Sequence, residues 1–134
     1  MTDVTVRAAT LDELASVLGV FDGAALETDA DRVRAGIERG DVLVAMPDAP
    51  TDTDDTGSRT LVGALVLDGD EIANIAVRRR RRGQGIGTAL VEAAADRRDR
   101  LVAECDAGVT AFYEALGFAV EPVGEDRYRG RYDE

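Results

Sequence analysis

The stretch from Ile72 to Val91 constrains the fold of this chain more than any other. Ile72 to Val77 (IANIAV) is a short apolar strand pattern, Arg78 to Arg82 an unbroken arginine block, and Gly83, Gly85 and Gly87 punctuate the turn that follows. An apolar, Ala-rich helix pattern begins at once after them. A strand that passes through a glycine turn into a helix builds an anion cradle. The glycines let the backbone approach a ligand closely, and the first amides of the helix have no acceptor of their own. Those amides and the helix dipole together favour phosphate. The stretch therefore predicts a phosphorylated ligand at about residues 77–88.

The arginine block stands out because the rest of the chain is acidic, with a formal net charge of −11. There is no lysine; every basic residue is arginine, and aspartate outnumbers glutamate. Such a surface suits a halophilic protein, because concentrated salt screens charge repulsion to about 3 Å. A high-GC genome favouring Arg and Asp codons gives the same composition. A length of 134 residues and 45% hydrophobic content fit a single domain over 1–134 with a real core. Cys105 is the sole cysteine, so no intrachain disulfide can form. With no histidine, a zinc site or a Ser-His-Asp triad is excluded, and no metal is expected. No apolar run approaches the roughly 20 residues of a membrane span, and the N-terminus lacks the pattern of a signal peptide. The expected location is cytoplasmic, with no membrane partner.

Apolar periodicity and punctuation predict the elements. Thr5 to Ala9 is a first strand, and Thr10 with Glu13 forms a capping box that opens a helix over 11–21. A second helix covers about 28–39, and strands follow at 41–46 and 61–67. Between those strands, residues 47–59 are polar and Asp-rich, a mobile acidic hairpin loop without the spacing of a calcium site. Asp68 and Gly69 read as a tight turn into the strand 71–77. After the glycine loop come a helix over about 85–98, a strand at 101–105, a helix over about 108–116 closed by Gly117, and strands at 118–123 and 127–132. The order β-α-α-β-β-β-α-β-α-β-β implies an α/β (α+β) fold with a mixed central sheet flanked by helices. Its strand–helix–strand unit makes one parallel pair.

Three glycine-loop chemistries compete. A P-loop requires Gly-Lys-Ser/Thr, which a chain without lysine cannot supply. A dinucleotide fingerprint fits Gly83 and Gly85 but finds Thr88 where its third glycine belongs, although Glu104 lies where a ribose-binding acid would sit. The third is carried by two motifs. Arg82 to Gly87 (RGQGIG) resembles the acyl-CoA signature Gln/Arg-x-x-Gly-x-Gly/Ala of the GCN5-related N-acetyltransferase (GNAT) superfamily. Ala111 to Phe118 (AFYEALGF) resembles that family's late helix, and the order of elements over 4–133 is also similar.

The resemblance implies an acyl-CoA-dependent N-acyltransferase that uses acetyl-CoA, with direct attack by a substrate amine on the thioester. The amide of Val77 would meet the pantetheine arm, and the amide of Ile75 the thioester carbonyl. Amides of Gly83, Gly85, Ile86, Gly87 and Thr88 would hold the pyrophosphate, with Arg82 the nearest arginine. Tyr113 matches the tyrosine that protonates the leaving thiolate; the alternative is a core aromatic. Glu104 is the first candidate for general base and Glu71 the second. Asp106 stands where the family often has Asn. Cys105 could carry an acyl group but has no histidine to activate it. The competing reading is a non-catalytic acyl-CoA-binding or sensing domain, indifferent to Tyr113. The acidic surface points to cationic acceptor amines, and a homodimer is compatible with the family. Nucleic acid is not an expected partner: the arginine block is basic, but few aromatics are present for stacking.

Overall fold

The computed structural model describes residues 4–23, 30–47, 61–78 and 85–133. Strands β1 (Val4–Ala8), β2 (Val42–Pro47), β3 (Gly63–Asp68), β4 (Glu71–Val77), β5 (Arg100–Asp106), β6 (Ala119–Gly124) and β7 (Arg127–Asp133) form a seven-stranded sheet in the order β1-β2-β3-β4-β5-β7-β6. Helices α1 (Leu14–Gly23), α2 (Ala30–Arg39), α3 (Ile86–Arg97) and α4 (Thr110–Ala115) lie between them in the expected sequence. All neighbouring strands run antiparallel except β4 and β5, the strand–helix–strand pair.

The first helix starts as predicted. The Thr10 amide donates to Glu13 Oε1 at 2.9 Å, and Arg7 clamps the same carboxylate at 2.8 and 2.6 Å. That clamp, assisted by the Thr10 amide, holds the Glu13 carboxyl down at about 2 against the pull of burial. Residues 11–13 form a 3-10 turn before α1, and residues 107–109 do the same before α4. The β3–β4 turn lies one residue later than predicted: Asp68 still pairs with Glu71, so Gly69 and Asp70 make the loop. The acidic connection expected over 47–59 lies outside the described residues, apart from Pro47 at the end of β2.

Alternation of side chains puts one core on each face of the sheet. On one face, Ile86, Leu90, Val91 and Ala94 of α3 pack with Tyr113 and Phe118 over Leu43, Leu65, Leu67, Ile72, Leu101, Ala103 and Cys105. On the other, Val17, Val20 and Phe21 of α1 and Val33 and Ile37 of α2 cover Val42, Val44, Ala64, Val66 and Ala76. The second core ends at β4. Beyond it, Arg100, Glu104, Arg127, Arg129 and Arg131 stand exposed on β5 and β7. Among the described residues no helix is long and apolar enough to cross a membrane.

Candidate active site

The two halves of the sheet meet at a seam. β4 and β5 share a single rung, Glu71 with Val102, where the Val102 amide donates to the Asp70 carbonyl at 2.9 Å. Above that rung the two strands have no further paired residues, and β4 carries a bulge at Ala73. Bulges bend and twist a strand locally, which turns the end of β4 away from its neighbour. The direction of its amides follows from the other edge. The Arg78 amide donates to the carbonyl of Val62, the residue just before β3, at 2.8 Å, and bonded residues alternate in an antiparallel ladder. Ala76, opposite Ala64, therefore also bonds towards β3, while Ile75 and Val77 turn their backbone groups into the gap.

The N-terminus of α3 stands beside this gap. Gly85 caps it at φ +82°, a left-handed conformation that glycine adopts without strain, and among the described residues no side chain caps the helix. The first i to i−4 bond runs from the Ala89 amide to the Gly85 carbonyl at 3.0 Å. The amides of Ile86, Gly87 and Thr88 precede it and have no acceptor within the helix. Beside the room it leaves for phosphate, Gly87 has a packing reason for lacking a side chain. A Cβ there would lie 3.3 Å from the Phe112 ring and 3.9 Å from Val77. The missing side chain lets α4 close on the start of α3.

Tyr113 lies on the α3 side of the seam, 3% exposed. Its ring meets Phe112 edge-on at 5.0 Å and Phe118 at 5.1 Å. Burial, reinforced by the nearby Cys105 thiol, pushes the phenol up to about 12. The phenol is thus fully protonated near neutral pH. Burial also raises the Cys105 thiol, which keeps it in its unreactive form.

Glu104 is exposed on the opposite side of the sheet, two residues past the last rung. Its Oε2 accepts from Arg129 Nη2 at 2.8 Å, and Arg127 Nη2 stands 3.6 Å from Oε1. The Arg129 hydrogen bond, outweighing desolvation and aided by Arg127, lowers its carboxyl below the usual range. That makes Glu104 a weaker base than a solitary carboxylate. Glu71 is exposed at the rung itself. Asp106 caps the turn into α4 by accepting from the Gly108 amide at 3.1 Å, a structural task that a carboxylate performs as well as an amide. Arg78 is tied to the scaffold, its Nε donating to the Leu61 carbonyl at 2.7 Å. Arg82 and Gly83, like Arg79 to Arg81, lie outside the described residues.

Two features of the seam escape the motif reading. Asn74 is the lone polar residue of IANIAV, and it shares the Glu104 side of the sheet because it pairs with Val66. Arg127, Arg129 and Arg131 alternate along β7, a spacing visible in RYRGRYD, but their position beside Glu104 depends on a register that the sequence does not display.

The geometry agrees with the comparisons. The acetyltransferase (GNAT) domain family model matches residues 39–120. No curated protein matches the chain in sequence. Among solved structures, a GNAT-family acetyltransferase of Bacillus cereus superposes with a TM-score of 0.76 at 14% identity, covering 98% of this chain and 97% of that one. The PaiA N-acetyltransferase of Thermoplasma acidophilum, solved in complex with coenzyme A, gives 0.71 at 15% identity, covering 98% of this chain and 99% of that one. Salmonella typhimurium yncA, solved with its cofactor acetyl-CoA, gives 0.72 at 17% identity, covering 98% and 94%. At these identities the structures establish the shared fold, and the family model assigns membership. The chain belongs to the GNAT acetyltransferase domain family.

Proposed function

We propose that this protein is an acyl-CoA-dependent N-acyltransferase that transfers acetyl from acetyl-CoA to an amine by direct attack. The observation that carries this reading is the seam itself. A one-rung strand pair leaves the Ile75 amide aimed into a gap, and the start of α3, whose first amides have no acceptor within the helix, stands beside it. This fits a thioester with a phosphorylated tail: a slot for the arm and amides for the pyrophosphate. Family membership, and relatives of the same fold solved with CoA or acetyl-CoA, point the same way.

Acetyl-CoA supplies the activated acyl group as a thioester. The Ile75 amide donates to the carbonyl oxygen as negative charge gathers there. Val77 orients the arm. The amides of Gly83, Gly85, Ile86, Gly87 and Thr88, with Arg82, neutralise the pyrophosphate. The acceptor nitrogen bonds to the acyl carbon as the carbon–sulfur bond breaks, and the nitrogen's proton passes to solvent, directly or through Glu104. Tyr113 donates a hydrogen bond to the departing sulfur. With a phenol at about 12 against a thiol near 8.5, it stabilises the thiolate more readily than it gives up its proton outright.

CoA release from acetyl-CoA across an amine panel tests the reading. Turnover with at least one amine is expected, and Tyr113→Phe should slow it while leaving acetyl-CoA binding intact. Tight acetyl-CoA binding with no amine consumed would instead favour a binding or sensing domain.

A further inference from the structure

The side of the seam opposite Tyr113 is not covered by α1 and α2 and carries a pattern of charge fitted to one kind of acceptor. At the height of Ala73 and Asn74 the order across the sheet is Asn74, the gap, Glu104, Arg129 and Glu121, because Glu104 pairs with Arg129 and Glu121 with Arg129. One step nearer the mouth the order is Ile75, the gap, Asp106 and Arg127. Strands lie about 4.8 Å apart, so an arginine on β7 is long enough to extend over β5 towards the gap. Arg129 stops on β5, where it meets its cross-strand neighbour Glu104 at 2.8 Å. Arg127 is engaged far less. Among the described residues its guanidinium has one long contact, 3.6 Å to Glu104 Oε1, and its side chain is 53% exposed. Asp106, its neighbour across the strand, is occupied with the Gly108 amide. A planar fork of five donors, one strand from the gap and with most of its capacity unused, fits a carboxylate.

We infer that the acceptor is a small α-amino acid, its carboxylate taken by Arg127 and its amine directed between Glu104 and the gap. The proposal rests on the N-acyltransferase reading above and names its substrate class. It replaces the expectation of a cationic amine drawn from the acidic surface, because a β7 face bearing Arg127, Arg129 and Arg131 favours an acceptor that carries an anionic group.

The test uses the full chain with acetyl-CoA and sets of matched acceptors: α-amino acids, their carboxamides, the corresponding decarboxylated amines, and a polyamine. The amino acids should be used with kcat/KM roughly ten- to a hundredfold above their carboxamides and amines. Arg127→Gln should erase most of that preference by raising KM for the acids far more than for the carboxamides. Arg127→Lys should restore the preference in part, keeping the charge but losing the fork. Equal use of acids and carboxamides, preference for the polyamine, or an unchanged preference in Arg127→Gln would overturn the proposal and leave the N-acyltransferase reading standing. Binding of acetyl-CoA with no acceptor consumed would overturn both.

Discussion

The two halves of the sheet are built to different standards. From β1 to β4 the ladder is continuous, and β2 to β4 are packed by apolar side chains on both faces, with Leu43, Val44, Ala64 and Leu65 fully buried. From β5 to β6 one face packs under α3 and α4, while the other presents arginines and glutamates to solvent. A single rung joins the halves. The sealed half holds the fold rigid. The half-open one spends no apolar area on its outer face, so it can keep charged groups beside a gap where backbone amides point outward. A site that needs outward-facing amides and charges in water belongs at such a boundary, where neither demand disrupts a core.

Substitutions on either side of the boundary should separate stability from function. The largest effect is expected in the sealed half. Leu65→Ala empties a fully buried position between the layers and should cost about 2–5 kcal/mol in urea denaturation. A cost below that range would mean that the double covering of β3 is looser than described. At the seam, Tyr113→Phe keeps the ring contacts with Phe112 and Phe118 and should lower kcat about a hundredfold with the denaturation midpoint little changed. If stability falls and kcat does not, Tyr113 is a core aromatic and no more.

Smaller effects probe the charges. Glu104→Gln removes an exposed partner of Arg129 and Arg127, and it should leave the denaturation midpoint where it was while altering the acceptor dependence of kcat/KM. The Arg7–Glu13 clamp gives the contrasting case within the scaffold. Its carboxyl is depressed in the folded state from 4.5 to about 2, so the folded state binds that proton less readily than the unfolded one. The clamp's contribution is therefore complete above about pH 4.5 and fades as the pH falls towards 2. Wild type should lose more stability than Glu13→Gln over that interval, and equal losses would remove the clamp from the account. The mildest effect is expected from salt. If the lysine-free, acidic surface is halophilic, unfolding midpoints should rise with KCl well beyond the roughly 0.15 M at which exposed pairs are already screened.

Much of this was legible in the residues. The capping box at Thr10 and Glu13, the glycine turn, and the order of strands and helices follow from local patterns that depend on neighbours a few residues apart. The limits appear where distant segments meet. The β3–β4 turn shifted by one residue because Asp68 and Glu71 pair across the strands, which local propensity does not report. Gly87 read only as a glycine of the turn, and its packing against Phe112, far along the chain, adds a second reason for the missing side chain. Glu104 read as a base, and its two arginine partners come from a strand inserted between β5 and β6. Asn74 and the β7 arginines could have been marked as polar residues breaking apolar or alternating runs, but only register brings them to one side of the gap.

The central claim is that the open seam between β4 and β5 receives acetyl-CoA through the backbone of β4. Amide hydrogen exchange at Ile75 tests it most directly, measured with and without acetyl-CoA. This amide points away from β3 into the gap, so it should exchange freely in the unliganded protein and slow by about tenfold or more once the thioester carbonyl accepts from it. Saturating acetyl-CoA binding with exchange at Ile75 unchanged would place the ligand elsewhere and contradict the account.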